Sequence, residues 1–206
     1  MGRTARCLSP LIPYAAVAIG MYGLHSAWAA LGLYHAGMLA AIIVWKRGDG
    51  DGKKRGIRLS WTPLAAIVFA LGGIALYILW PYLSPDGHPI SARLAHYGVT
   101  GRAWTYLAAY FCIANSAIEE LFWRWYLGTD SRRIVLNDLL FAGYHVLVLA
   151  VLVNPLWVAP VFVACAFAGW LWRMLRAAAG GLLVPILTHL VADVSIVIAV
   201  HFRAFA

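Results

Sequence analysis

Stretches of apolar residues long enough to cross a lipid bilayer recur from one end of this chain to the other. A helix crosses the hydrocarbon core with about 20 predominantly apolar residues. Of the 206 residues, 63% are hydrophobic and 12% charged, which excludes an ordinary soluble domain. The fold class is therefore all-α: a polytopic transmembrane helical bundle of about seven spans. No stretch reads as a separate soluble domain, so 1–206 reads as one integral-membrane domain. In such a chain the net charge of +8 belongs to loops facing the cytoplasm. It is no footprint for nucleic acid, and the expected surroundings are the lipid bilayer. The three cysteines, Cys7, Cys112 and Cys165, show neither a disulfide framework nor a zinc-ligand spacing.

Taken in order, 11–45 is too long for one span and divides into two, near 8–24 and 27–45, with a break at Gly23, His25 and Ser26. A competing reading makes the first span a signal peptide, with Arg3 and Arg6 as its charged start and Ala27-Trp28-Ala29 as the cleavage site. The stretch 46–60 is a basic loop. Its Gly-Asp-Gly-Asp-Gly core lacks the remaining ligands of a calcium loop and reads as a polar turn. Further spans follow near 61–83, 104–127, 134–153, 156–176 and 181–201. A polar connection, 84–102, carries Pro85-Asp86-Gly87, a turn signal. An eighth element is the alternative count. With the N-terminus in the cytoplasm, the cytoplasmic side collects Arg3, Arg6, the basic residues of 46–60, Arg132, Arg133, Arg173 and Arg176. The other side holds Arg93, Arg102 and Arg203. That bias sets the expected orientation.

Within the fourth span lie Glu119, Glu120 and Arg124. A carboxylate in the hydrocarbon region costs about 2.5–3.5 kcal/mol on insertion scales. On a helix Glu120 and Arg124 are four apart and can pair. Glu119 lies about 100° around the helix from Glu120. One acid is then structural, and Glu119 is left for chemistry. The bland reading, helix glue from a buried ion pair, fits this motif equally well by itself. Depth changes the balance. Counted from the same surface, Glu119, His145 and His189 lie roughly 12, 16 and 12 Å deep at ~1.5 Å per residue. Asp193 is one turn beyond His189 on the same face. Intramembrane ionisable clusters mark function by default.

A carboxylate beside histidines can deprotonate water. A second histidine and an acid can bind the oxyanion formed when that water attacks an amide. The alternative is a single Zn held by Glu119, His145 and His189 with water at its open position. Both routes are amide hydrolysis. The chain has no Gly-x-Ser-x-Gly elbow and no His-Glu-x-x-His. Two readings from other classes compete: a non-catalytic membrane partner such as an immunity or scaffold protein, and a transporter or channel. The absence of an internal repeat counts against the last.

Glu119-Glu120-x-x-x-Arg124, Phe141-x-x-x-His145 and His189-x-x-x-Asp193 resemble, in order and rough spacing, the motifs of the CPBP family. These are the type II CAAX prenyl endopeptidase-like intramembrane proteases, also called the ABI family. Gly180-Gly181 through Pro185 to His189 resembles the family's approach to its last histidine. The resemblance covers about 115–197, inside a motif-bearing core of about 104–201, and the first hundred residues add only generic spans. It implies an intramembrane endopeptidase acting on a membrane-anchored protein or peptide. Glu119 would be the base, His145 its partner on the water, and His189 and Asp193 the groups that position water or bind the oxyanion. Glu120 and Arg124 would support the site. The resemblance implies a glutamate-activated water with no cofactor required, in a bacterial inner (cytoplasmic) membrane. Two departures stand out: Asp193 where Asn is frequent, and Trp125 where Gly is common.

Overall fold

The computed structural model describes residues 6–45, 60, 62–84 and 89–205. Most of the basic loop 46–60 and the Pro85-Asp86-Gly87 turn lie outside the described residues. The described residues form helices and no strands. In chain order these are α1 (Leu11–Gly23), α2 (Ala27–Val44), α3 (Thr62–Leu83), the short α4 (Ile90–His96), α5 (101–126), α6 (Leu136–Leu149), α7 (Pro155–Ala179) and α8 (Leu183–Phe205). Four of them, α2, α3, α7 and α8, are long and apolar enough to cross a membrane by length and composition. The helices α1 and α6 are apolar but shorter. This is an all-α bundle of an integral membrane protein.

Local chemistry sets the helix ends. Between α1 and α2, His25 takes a left-handed backbone (φ 47°). Ser26 then caps α2, its hydroxyl accepting from Ala29 N at 3.2 Å. Asn154 caps α7 ahead of Pro155, and Gly180 ends that helix with φ 76°, a conformation that costs glycine little. Asp138, three residues into α6, reaches back to Val135 N at 3.0 Å and ties down one of the free N–H groups there.

The bundle is apolar outward. On α3, Leu64, Ile67, Val68, Leu71, Ile74 and Ile78 recur at helical spacing and are exposed. The buried positions of the same helix include Ala65 and Gly73. In water that stripe would be a large apolar patch; against lipid tails it costs nothing. The inward face is small because α3 lies directly on α8. A Cβ at Gly73 would meet the Ser195 carbonyl oxygen at 2.3 Å. Small residues of this kind let membrane helices approach backbone to backbone.

The helix α5 is central, in contact with α2, α7 and α8. It stays helical from 101 to 126 but includes wide π turns at Phe111–Asn115 and Glu120–Tyr126. Its last turn closes with Leu127 N on Phe122 O, five residues back, at 2.9 Å. Such turns occur often at functional sites. Here one begins at Glu120.

Three expectations change. The connection 84–102 is not merely polar, since it contains α4. The fifth span is shorter than 134–153, with helix only over Leu136–Leu149. The sixth runs on to Ala179, so Arg173 is not a loop residue. It is buried and grips Asp138, Nη2 to Oδ2 at 2.7 Å and Nε to Oδ1 at 3.1 Å. It also donates to the carbonyls of Ser131 and Arg133, fastening the α5–α6 loop to α7. Arg6 donates to the carbonyl of Tyr126 at this end of the bundle. At the other end Arg93 donates to Val151 O at 2.9 Å.

Candidate active site

The helix α5 carries Glu119 and Glu120 on adjacent residues, and both turn toward one ring on α8. His189 presents Nδ1 to Glu120 Oε1 at 2.9 Å and Nε2 to Glu119 Oε2 at 3.7 Å. The expected division of labour between the two acids is thus not a division in space. Glu120 still pairs with Arg124, Oε2 to Nε at 3.4 Å. It is fully buried and holds the imidazole as well.

A ring and a cation are held by aromatic faces. Trp172 of α7 stacks on His189 with centroids 3.9 Å apart and an interplanar angle of 16°. Arg124 places its guanidinium carbon 4.2 Å from the Phe141 ring centroid and 5.3 Å from that of Trp172. Cations over desolvated rings gain on the order of 2 kcal/mol. The Arg124 Nη2 also reaches Gly169 O at 3.5 Å.

Asp193 stands one turn after His189, with Oδ1 3.6 Å from its Nε2. Its other oxygen accepts from Asn115 Nδ2 at 3.2 Å. Asn115 Oδ1 faces His35 Nε2 at 3.2 Å, and His35 Nδ1 faces the Tyr110 hydroxyl at 2.9 Å. An amide oxygen can only accept, so His35 donates through Nε2 and its Nδ1 takes the Tyr110 proton.

His145 is half-buried. Its Nδ1 donates to Phe141 O, one turn back, at 2.8 Å, which turns Nε2 toward the site. Between His145 and Glu119 lies a side chain that sequence reasoning passed over. The Tyr144 hydroxyl is 2.5 Å from Glu119 Oε1 and 3.2 Å from His145 Nε2. The same Oε1 accepts from Tyr34 on α2 at 2.7 Å. Glu119 Oε2, buried, has no hydrogen-bond partner among the described residues.

All six expected residues, Glu119, Glu120, Arg124, His145, His189 and Asp193, therefore come together. Tyr34, His35, Asn115, Tyr144 and Trp172 join them. Signals for some of these were present. His35 is the lone histidine in its span, Tyr34 adjoins it, and Asn115 is four residues before Glu119 on one helix face. The first hundred residues supply more than generic spans.

The donor set Glu119, His145 and His189 does not converge as a metal site would. Among the described residues, no group of three His, Cys, Asp or Glu side chains could hold a metal ion as placed. Two hydroxyls occupy Glu119 Oε1, and the Tyr144 hydroxyl stands in front of His145 Nε2.

Residues 101–195, which contain both glutamates, both histidines and Asp193, match the family model described as type II CAAX prenyl endopeptidase Rce1-like. Over that segment the chain is similar to this family. The family is one of proteases, in agreement with the resemblance carried by the three motifs, and the match supports a protease. The matched segment begins at α5, so Tyr34 and His35 enter the site from outside it. No curated protein and no solved structure matches the chain.

Proposed function

We propose that this protein is an intramembrane endopeptidase that hydrolyses a peptide bond of a membrane-anchored protein or peptide. The observation that carries the reading is Glu119 Oε2. It is a buried carboxylate oxygen with no hydrogen-bond partner among the described residues, 3.7 Å from His189 Nε2, on a segment matched by a protease family. A polar contact longer than a hydrogen bond invites a water. A water to one side of that gap can donate to Oε2 and rest against the imidazole.

In the proposed step Glu119 Oε2 takes a proton from this water as its oxygen bonds to the substrate carbonyl carbon. The carbonyl oxygen becomes an oxyanion, stabilised from the side of His189, while His145, whose Nδ1 proton is engaged by Phe141 O, accepts from the water through Nε2. The proton held on Glu119 passes to the amide nitrogen as the carbon–nitrogen bond breaks. Asp193 and Glu120 keep His189 in register, and Arg124 balances the charge of Glu120. The site works as one unit within 1–206, in a bacterial cytoplasmic membrane with the N-terminus inside.

The test uses purified protein in detergent and a membrane-anchored peptide. Glu119→Gln is expected to abolish cleavage and to leave thermal unfolding near that of the wild type. Full cleavage by that variant would reject Glu119 as the base. If the wild type also leaves every such peptide intact while Glu119, His145 and His189 variants stay folded and keep the cellular phenotype, the protein is a binding partner rather than an enzyme.

A further inference from the structure

We propose that Tyr34 and Tyr144 are positioning residues that aim the catalytic carboxylate, so that a helix outside the family-matched segment completes the site. The inference rests on the reading of Glu119 as the base. A carboxylate oxygen offers about two lone-pair sites. On Glu119 Oε1 both are taken, by the hydroxyls of Tyr34 at 2.7 Å and Tyr144 at 2.5 Å. They come from two different helices, α2 and α6. One such bond would leave the carboxylate free to turn about its last torsion and exchange its oxygens. Two donors from separate helices hold its plane. Water is then left with Oε2, the oxygen nearer His189 Nε2.

The donors are themselves held. Tyr34 and Tyr144 are 3% and 4% exposed, and their rings pack with centroids 5.1 Å apart. Trp123 lies parallel to the Tyr144 ring, 9° between planes. Rotamers locked by packing are what hold a reacting group within about half an ångström of its working geometry. Both hydroxyls donate to Glu119 Oε1, so their action runs through Glu119.

The experiment measures kcat, KM and thermal unfolding of Tyr34→Phe, Tyr144→Phe and the double variant, beside Glu119→Gln. Phenylalanine keeps the ring packing and removes one hydroxyl. Each single variant is expected to lose about tenfold in kcat, the scale of one hydrogen bond to a charged group. KM and the unfolding temperature should stay close to wild type. The double variant should lose more than the product of the singles, because the second hydroxyl partly holds the plane when the first is gone. Wild-type kcat in both singles, with Glu119→Gln inactive, overturns the positioning role and leaves the protease reading intact. Activity in Glu119→Gln overturns both. If the phenylalanine variants fold poorly, 3-fluorotyrosine at position 34 keeps ring and hydroxyl and alters the donor. An unchanged kcat there overturns the proposal, and a changed kcat at unchanged KM supports it.

Discussion

The Nδ1 of His189 lies 2.9 Å from Glu120 Oε1, and both side chains are buried. The acid that a helix wheel pairs with Arg124 is therefore also the anchor of the histidine facing Glu119. Support and chemistry are joined at one carboxylate.

Removing one partner of a buried ion pair costs about 3–5 kcal/mol, because the survivor is stranded. Glu120→Ala and Arg124→Ala should each lower stability by that order, measured by thermal unfolding in detergent. Glu120→Gln with Arg124→Met leaves neither charge stranded and should regain most of it. Its cleavage rate should nonetheless stay low, since a neutral amide is the weaker acceptor for His189. A double variant as unstable as the singles would show that the pair is not the source of the loss.

Arg173 offers a second buried pair, away from the glutamates. It bonds Asp138 twice and two loop carbonyls besides. Arg173→Ala should cost about 3–5 kcal/mol. Arg173→Lys should recover little, because an ammonium cannot reproduce the planar fork. Recovery of wild-type unfolding by lysine would reduce the contact to a simple charge pair.

Gly73 allows α3 to lie on α8. Gly73→Leu forces a side chain against the Ser195 backbone. Overpacking of this kind costs about 1–3 kcal/mol or more, and backbone yields less than side chains do. The folded yield in detergent should drop, and Gly72→Leu, one residue away with open space around it, should not show the effect.

Metal dependence is separable from all of these. With Glu119 Oε1 held by two hydroxyls, the expected outcome is cleavage that survives chelation and metal-free preparation. Inactivation by a chelator, with about one zinc per chain in the active protein, would assign Glu119, His145 and His189 to a metal instead.

Apolar stretches of spanning length, the break at His25-Ser26 and the Asn154-Pro155 start of α7 were legible because each is a local matter: hydropathy, a cap, a fixed φ. The motif residues were legible too, since a charge inside an apolar span stands out. Exposure of the α3 stripe follows from the same composition. What the chain order alone leaves open is which polar groups meet. Tyr34 and Tyr144 are ordinary aromatics in sequence, and they matter because α2 and α6 bring both hydroxyls to one oxygen of Glu119. Arg173 counts as a loop cation by position, yet α7 continues past it and Asp138 waits across the interface. A helix wheel separates the two glutamates by about 100°, yet a single imidazole from α8 reaches both. Long-range packing decides these partners, because a buried polar group must find a hydrogen bond wherever the fold places one.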